Sequence, residues 1–377
     1  MSLLRLPILI HGLTRWDKSL LPESQVEQRL TRVRDAMRGR GLDALWVYSN
    51  MEHDGNIAYL TNFHPFDPRM PGLALVTPDA IEAVLKVSKR DLAFILTHIW
   101  SPAEPSDFLS NEFPAQVAAT IERAGLRGKR IGFSGRALMP PALEPQIMEL
   151  FPQGVTEVDG LLEDLRRHKS AAERELLRLA AEKAEAVIRE VTAFAAGGMS
   201  ENELAAYADY VARKAGALDV DILLHAGFEK MPPPGEHEQL PFRPASERLL
   251  TGREHLAVYV AFQFEGYWAE ASDSIYVGGA SAAEREAHDR CTAAFAALCG
   301  SLGTAGQDAV VSAWVHGLGL ERDELPLSRQ GKAAAQAGDI LAVHVALEAG
   351  GARAFYGRTI DGTAGRGVLL TSAMQSA

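Results

Sequence analysis

The chain has 377 residues, 47% of them hydrophobic and 23% charged, with a formal net charge of -11. Such a composition suits a soluble globular protein with room for two cores. The acidic balance excludes nucleic acid and anionic membrane as main partners, because phosphate binding needs clustered Lys and Arg and no such cluster occurs. No apolar run approaches the ~18 to 20 residues that span a bilayer. The opening MSLLRLPILI has a short apolar stretch, one arginine and no small-residue cleavage site, so it reads as folded sequence and the expected location is cytoplasmic. Cys291 and Cys299 fall on one predicted helix, too far apart to bridge, which fits a reducing compartment.

In chain order, residues 25–40 carry apolar side chains at helical spacing and stop at Gly41, and residues 42–48 follow as a buried strand. Strand-like runs at 72–77, 81–87 and 129–133 alternate with helical stretches near 114–126 and 141–151, the pattern of an α/β domain. Ser170 and Glu173 form a Ser-x-x-Glu capping pattern that opens a long helix to about Ala196, and Ser200 with Glu203 opens the next. The domain boundary is placed near residue 160, giving an α/β domain over 1–160 and an α+β domain over 161–377. No Gly-x-Ser-x-Gly elbow, Gly-x-Gly-x-x-Gly turn or Walker loop occurs, so a serine triad and nucleotide binding have no support.

Five positions in the second half concentrate the chemistry: Tyr259, Glu270, His316, His344 and Asp361. Their surroundings are LRRHKSAAERELLRLAAEK at 165–183, LAVYVAFQFEGYWAEASDSIYV at 256–277 with Gly266-Tyr267, and His316-Gly-Leu-Gly followed by Glu324 and Pro326. GDILAVH ends on His344, and Arg358-Thr-Ile-Asp361 closes the series. In order and spacing these segments resemble the creatinase / Xaa-Pro aminopeptidase / methionine aminopeptidase superfamily. The first half resembles that family's smaller domain through Tyr48-Ser-Asn50, NIAYLTNF at 56–63 and Pro68-Arg69-Met-Pro71.

The resemblance implies an α/β N-terminal creatinase-like domain followed by an α+β pita-bread domain, in a homodimer. It implies that Tyr259, Glu270, His316, His344 and Asp361 stand where the family usually carries Asp, Asp, His, Glu and Glu around two metal ions. Tyrosine is a poor ligand for a hard cation, so one ion is expected, held by Glu270, His316, His344 and Asp361. Two carboxylates and two imidazoles suit Fe, Mn, Co, Ni or Zn better than Mg or Ca. A hairpin turning at Phe264 and Glu265 would set Tyr259 directly opposite Glu270.

The family's two peptidase histidines are replaced by Phe242 and Asp323, which argues against an ordinary dinuclear peptidase. The resemblance makes Glu324 the candidate general acid/base and Tyr259 a hydrogen-bond donor. Phe242, Asp323 and Arg358 would border the substrate, and Arg69 would bind its carboxylate bidentately. His225 and His237 are candidates for a displaced base. The expected activity is C–N hydrolysis, or a lyase step, on a small polar, carboxylate-bearing molecule. The alternatives are a metal-free C–N hydrolase, a mononuclear iron redox enzyme, or a non-catalytic binding protein on a decayed scaffold.

Overall fold

The computed structural model describes residues 16–87, 91, 95–106, 112–226, 242–300, 311–322, 324–329, 336, 338–363 and 366–372. The opening apolar stretch, His237 and Asp323 lie outside the described residues. By its contacts the chain divides into residues 1–172 and 173–377.

The first unit begins with α1 (Glu23–Gly39), whose Val26, Leu30, Val33 and Met37 share one buried face at helical spacing. Strands β1 (Ala44–Ser49), β2 (Gly72–Val76), β3 (Ile81–Lys86), β4 (Ala103–Ser106), β5 (Ile131–Ser134) and β6 (Thr156–Glu157) form a mixed sheet in the order β4-β3-β2-β1-β5-β6. Helices α2 (Gly55–Thr61), α3 (Glu112–Arg123), α4 (Glu144–Met148) and α5 (Leu161–Arg167) accompany it. β1 is buried along its whole length. That explains its unbroken apolar run: Trp46 and Tyr48 pack with Phe113, Val117, Phe133 and Phe151 on one side of the sheet.

The second unit opens with α6 (Ala171–Phe194) and α7 (Glu201–Lys214), the latter closed at its start by a capping box between Ser200 and Glu203. Its sheet contains β7 (Asp219–Ala226), β8 (Glu254–Phe264), β9 (Tyr267–Val277), β10 (Val311–Gly317), β11 (Leu325–Arg329), β12 (Asp339–Ala349) and β13 (Ala352–Thr363). They run in the order β11-β10-β12-β13-β9-β8-β7. β14 (Arg366–Leu369) pairs with β13, and α8 (Ala282–Gly300) follows β9 in the chain.

Strand alternation separates two jobs. One face of the sheet packs under helices: Val258, Val260, Phe262, Ala271 and Ile275 meet α6 and α7, while Val343, Val345 and Ile360 meet α8. Both cysteines, free and buried, belong to the α8 layer. The other face receives the alternate residues, among them Tyr259, Glu270, His316 and His344.

The β8–β9 hairpin corrects one sequence expectation. Its turn is Glu265-Gly266, with φ of 48° and 84°, the two left-handed positions of a type I′ turn, where Gly is favoured. The register therefore pairs Tyr259 with Ser272 and Ala261 with Glu270. Tyr259 is diagonal to Glu270 and not directly opposite it, although a shift of two residues keeps both on one face.

Candidate metal centre

Glu270 comes from β9, His316 from β10 and His344 from β12, and their ligand atoms lie within 4.8 Å of one another, all three residues buried. Glu270 Oε2 is 3.0 Å from Nε2 of His316 and 3.0 Å from Nε2 of His344. Both rings are anchored at the other nitrogen. His316 Nδ1 is 2.8 Å from the Arg322 carbonyl, and His344 Nδ1 is 2.8 Å from Ser272 Oγ.

These contacts test whether a metal fits. A carbonyl only accepts, so His316 carries its proton on Nδ1. Its Nε2 then faces a carboxylate, which also only accepts when ionised. Either the ring is an imidazolium, or its Nε2 lone pair and Glu270 Oε2 share a cation. Separations of 3.0 Å suit ligand atoms each about 2.0–2.2 Å from one ion. Anchoring a ring by Nδ1–H is also how metal-binding histidines are oriented. The three residues form a candidate ligand set for a divalent metal ion.

Electrostatics agree with an ionised Glu270. Burial alone would raise its pKa, but His316 and then His344 outweigh it and hold the carboxyl well below the ordinary carboxylate range. Burial pushes His344 down, so its neutral ring is favoured. Burial and then the Glu270 charge push the Tyr259 phenol well up, keeping its proton on.

Asp361 does not join this cluster. It forms an ion pair with Arg174, whose Nη2 also donates to the Gly338 carbonyl at 2.9 Å. The side chain beside Glu270 on β13 is Thr359, whose hydroxyl accepts the Glu270 N–H at 2.8 Å and donates to the Glu270 carbonyl at 2.9 Å. Asp361 is two residues further along the same strand face, on the wrong pleat to reach the histidines.

Arg358, on the alternate parity, faces the helices. Its guanidinium donates to the Ser272 carbonyl and to Asp273 Oδ2, each at 2.8 Å, and lies over the Tyr356 ring. Glu324 is outside the cluster as well: its carboxylate covers Gly319 and accepts the Leu320 N–H at 2.9 Å. Phe242 does border the site, its ring centroid 5.3 Å from Tyr259, 5.4 Å from Phe355 and 6.5 Å from His344. His225 is on β7, and burial pushes it down to about 4. In the first unit, Arg69 is already engaged by Asp67, with Nε–Oδ1 at 2.8 Å and Nη2–Oδ2 at 2.6 Å.

Sequence reasoning missed Arg322, Ser272 and Thr359. Ser272 and Thr359 carried a usable signal, since each is two residues from a position already singled out on a strand. Arg322 carried none beyond its place in the loop after His316. That loop curls back so that Arg322 Nη2 donates to Tyr259 at 2.7 Å while its carbonyl anchors His316.

With this geometry in place, comparison with known proteins is decisive for the family. The model of metallopeptidase family M24 matches residues 175–368, and that of the creatinase/prolidase N-terminal domain matches residues 29–168. The chain belongs to metallopeptidase family M24. It is 23% identical over 250 residues to the uncharacterized peptidase YqhT of Bacillus subtilis (strain 168), a match covering 66% of this chain and 65% of that relative's length. Among solved structures it resembles the Xaa-Pro dipeptidase from Bacillus anthracis, with TM-score 0.70, 19% identity, and 92% and 98% of the two chains covered. It also resembles the X-Pro aminopeptidase from Thermotoga maritima MSB8, with TM-score 0.73, 18% identity, and 91% and 97% covered. At these identities the likeness establishes the creatinase-plus-pita-bread fold. Among the described residues, no helix of this family member is long and apolar enough to cross a membrane.

Two outcomes follow from the packing of the site. A Cβ at Gly357 would sit 2.3 Å from His344 Nδ1 and 2.5 Å from Ser272 Oγ, so Gly357→Ala must displace the ring. It should lower stability by about 1–3 kcal/mol in urea unfolding, and an unchanged midpoint would show that the ring has room. Burial pushes His255 down to about 4 from 6.5, while its ring stacks on Tyr276 and Phe355. Its folded value is below its unfolded one, so its contribution to stability is full above pH 6.5 and is lost as pH falls through about 4. His255→Phe should flatten that acid loss by about 1–3 kcal/mol, read from unfolding curves between the two pH values.

Proposed function

We propose that this M24 family member is a hydrolase working with one divalent transition metal ion, held by Glu270, His316 and His344. Its substrate is a small polar molecule that bears a carboxylate and is cut at a C–N bond. The observation that supports this reading is the convergence of one carboxylate oxygen and two ring nitrogens whose opposite edges are anchored. Three protein ligands leave a position open, as catalytic rather than purely structural sites do, and the donor set suits Fe, Mn, Co, Ni or Zn. A bound ion there supplies Lewis-acid activation of water or of the scissile carbonyl.

The chain's own residues set the rest of the chemistry. Glu270 and the two imidazoles are the donors, the protonated Tyr259 phenol adds a hydrogen-bonding group on the same face, and Phe242 excludes water beside them. Phe242 offers no hydrogen bond where the related peptidases use an imidazole, so the reading is of a hydrolase distinct from an ordinary dinuclear Xaa-Pro peptidase. The same reading makes the protein a cytoplasmic homodimer, with Glu324 as the candidate general acid/base.

One observation favours a second, metal-free reading. Glu270 is already balanced by Arg322 on one oxygen and by the His316 and His344 rings on the other. Metal analysis of protein purified without added metal separates the two. About one ion per chain, lost in His316→Ala and in His344→Ala, is the expected result. No ion in wild type would favour the metal-free reading, and two ions would sink the mononuclear one. With Mn, Co, Zn or Fe supplied, Xaa-Pro dipeptides should turn over far below about 1 per second, and faster cleavage would restore the ordinary peptidase.

A further inference from the structure

Glu270 presents its two oxygens to two different positive surroundings. Oε2 faces the histidine nitrogens, while Oε1 faces Arg322, whose Nε is 3.4 Å away. The same guanidinium donates through Nη2 to the Tyr259 hydroxyl at 2.7 Å and pairs through Nη1 with Asp221. Oxygens from β7, β8 and β9 thus converge on one cation. An oxygen-lined position of this kind, with two carboxylates and a hydroxyl, is what a divalent ion would otherwise take. The guanidinium is held between rings as well, 5.8 Å from the centroid of Tyr259 and 5.5 Å from that of Trp268. Its side chain is 32% exposed and Glu270's is wholly buried, so the pair is partly shielded from solvent.

We propose that Arg322 is the built-in second cation of this site: its guanidinium fills the oxygen-lined position on the Oε1 side of Glu270 and limits the centre to a single metal ion on the Oε2 side. The Oε2 half of this statement rests on the mononuclear reading above; the Oε1 half stands on the Arg322 contacts alone. Arg322 is a positioning residue with two handles. Its carbonyl fixes the His316 ring and its side chain fixes Glu270, so one loop residue orients two ligands from different strands.

The chemistry predicts an asymmetry between two substitutions. In Tyr259→Asp the new carboxylate meets Arg322 and pairs with it, since a charge-assisted fork satisfies both groups. No vacancy opens. Arg322→Met keeps much of the side-chain volume but leaves Glu270 and Asp221 without a cation on that side, which is costly for a buried carboxylate. Combining the two places three carboxylates around an unfilled position.

The test counts metal in full-length wild type, Tyr259→Asp, Arg322→Met and the double variant, each loaded with excess Mn²⁺, desalted and measured by plasma mass spectrometry. The double variant should hold about one ion per chain more than Tyr259→Asp. Equal counts in those two, or an extra ion in Tyr259→Asp alone, would overturn the proposal. A wild type without any ion would remove the mononuclear reading, whereas the difference between the two variants would still report on Arg322. Thermal unfolding gives a second measurement should the double variant fail to fold. Mn²⁺ should raise the Tm of Arg322→Met more than that of wild type, and equal shifts would overturn the assignment.

Discussion

The Glu270 side chain is wholly buried and ionised, and a charge so placed costs several kcal/mol unless cations and hydrogen bonds surround it. Much of the second unit's architecture supplies those partners. β10 brings His316, β12 brings His344, the loop after β10 returns Arg322, and β13 clamps the Glu270 backbone through Thr359. Because β13 lies between β12 and β9, His344 must reach across it to meet Ser272 and Glu270. Gly357 makes that crossing feasible: it pairs with both His344 and Ser272, and any side chain there would occupy the space of the ring.

The period of two along a strand explains how neighbouring acids serve unrelated tasks. Glu270 faces the site, while Asp273, on the other parity, faces the helices and accepts from His288 at 2.9 Å and from Arg358 at 2.8 Å. Arg358 in turn sits 3.7 Å from Glu185 of α6, so this second network ties the helix layer to β9 and β13. Both networks rest on the same two strands. A residue's role is therefore set by parity first and by chemical type second.

This is also why the sequence was legible only in part. Motif order identified the fold, and the resemblance it carried named Glu270, His316 and His344, which the structure brings together. The same resemblance named Asp361, which the structure places against Arg174. Its parity is right, but one further pleat carries it away from the histidines and onto Arg174, and no local pattern encodes that distance. The hairpin turns one position later than its sequence suggests, because Gly266 is the residue best suited to φ of 84°. Arg322 was invisible for a different reason. Its importance comes from a loop path that brings a carbonyl to one ligand and a guanidinium to another, and neither contact leaves a periodic trace.

The apolar side of the site completes the physical picture. Phe242, Phe355, Trp314, Ala257 and Ala346 form a small core next to His344 and Tyr259. Low polarity on that side raises the cost of charge and strengthens each electrostatic contact made across the cluster. Arg322 brings a positive charge to the same cluster, where it meets Glu270, Tyr259 and the half-exposed Asp221. A polar ligand entering this site would meet both apolar rings and a fixed guanidinium. Phe242 and Arg322 thus shape the electrostatics of a site whose candidate donor atoms come from Glu270, His316 and His344.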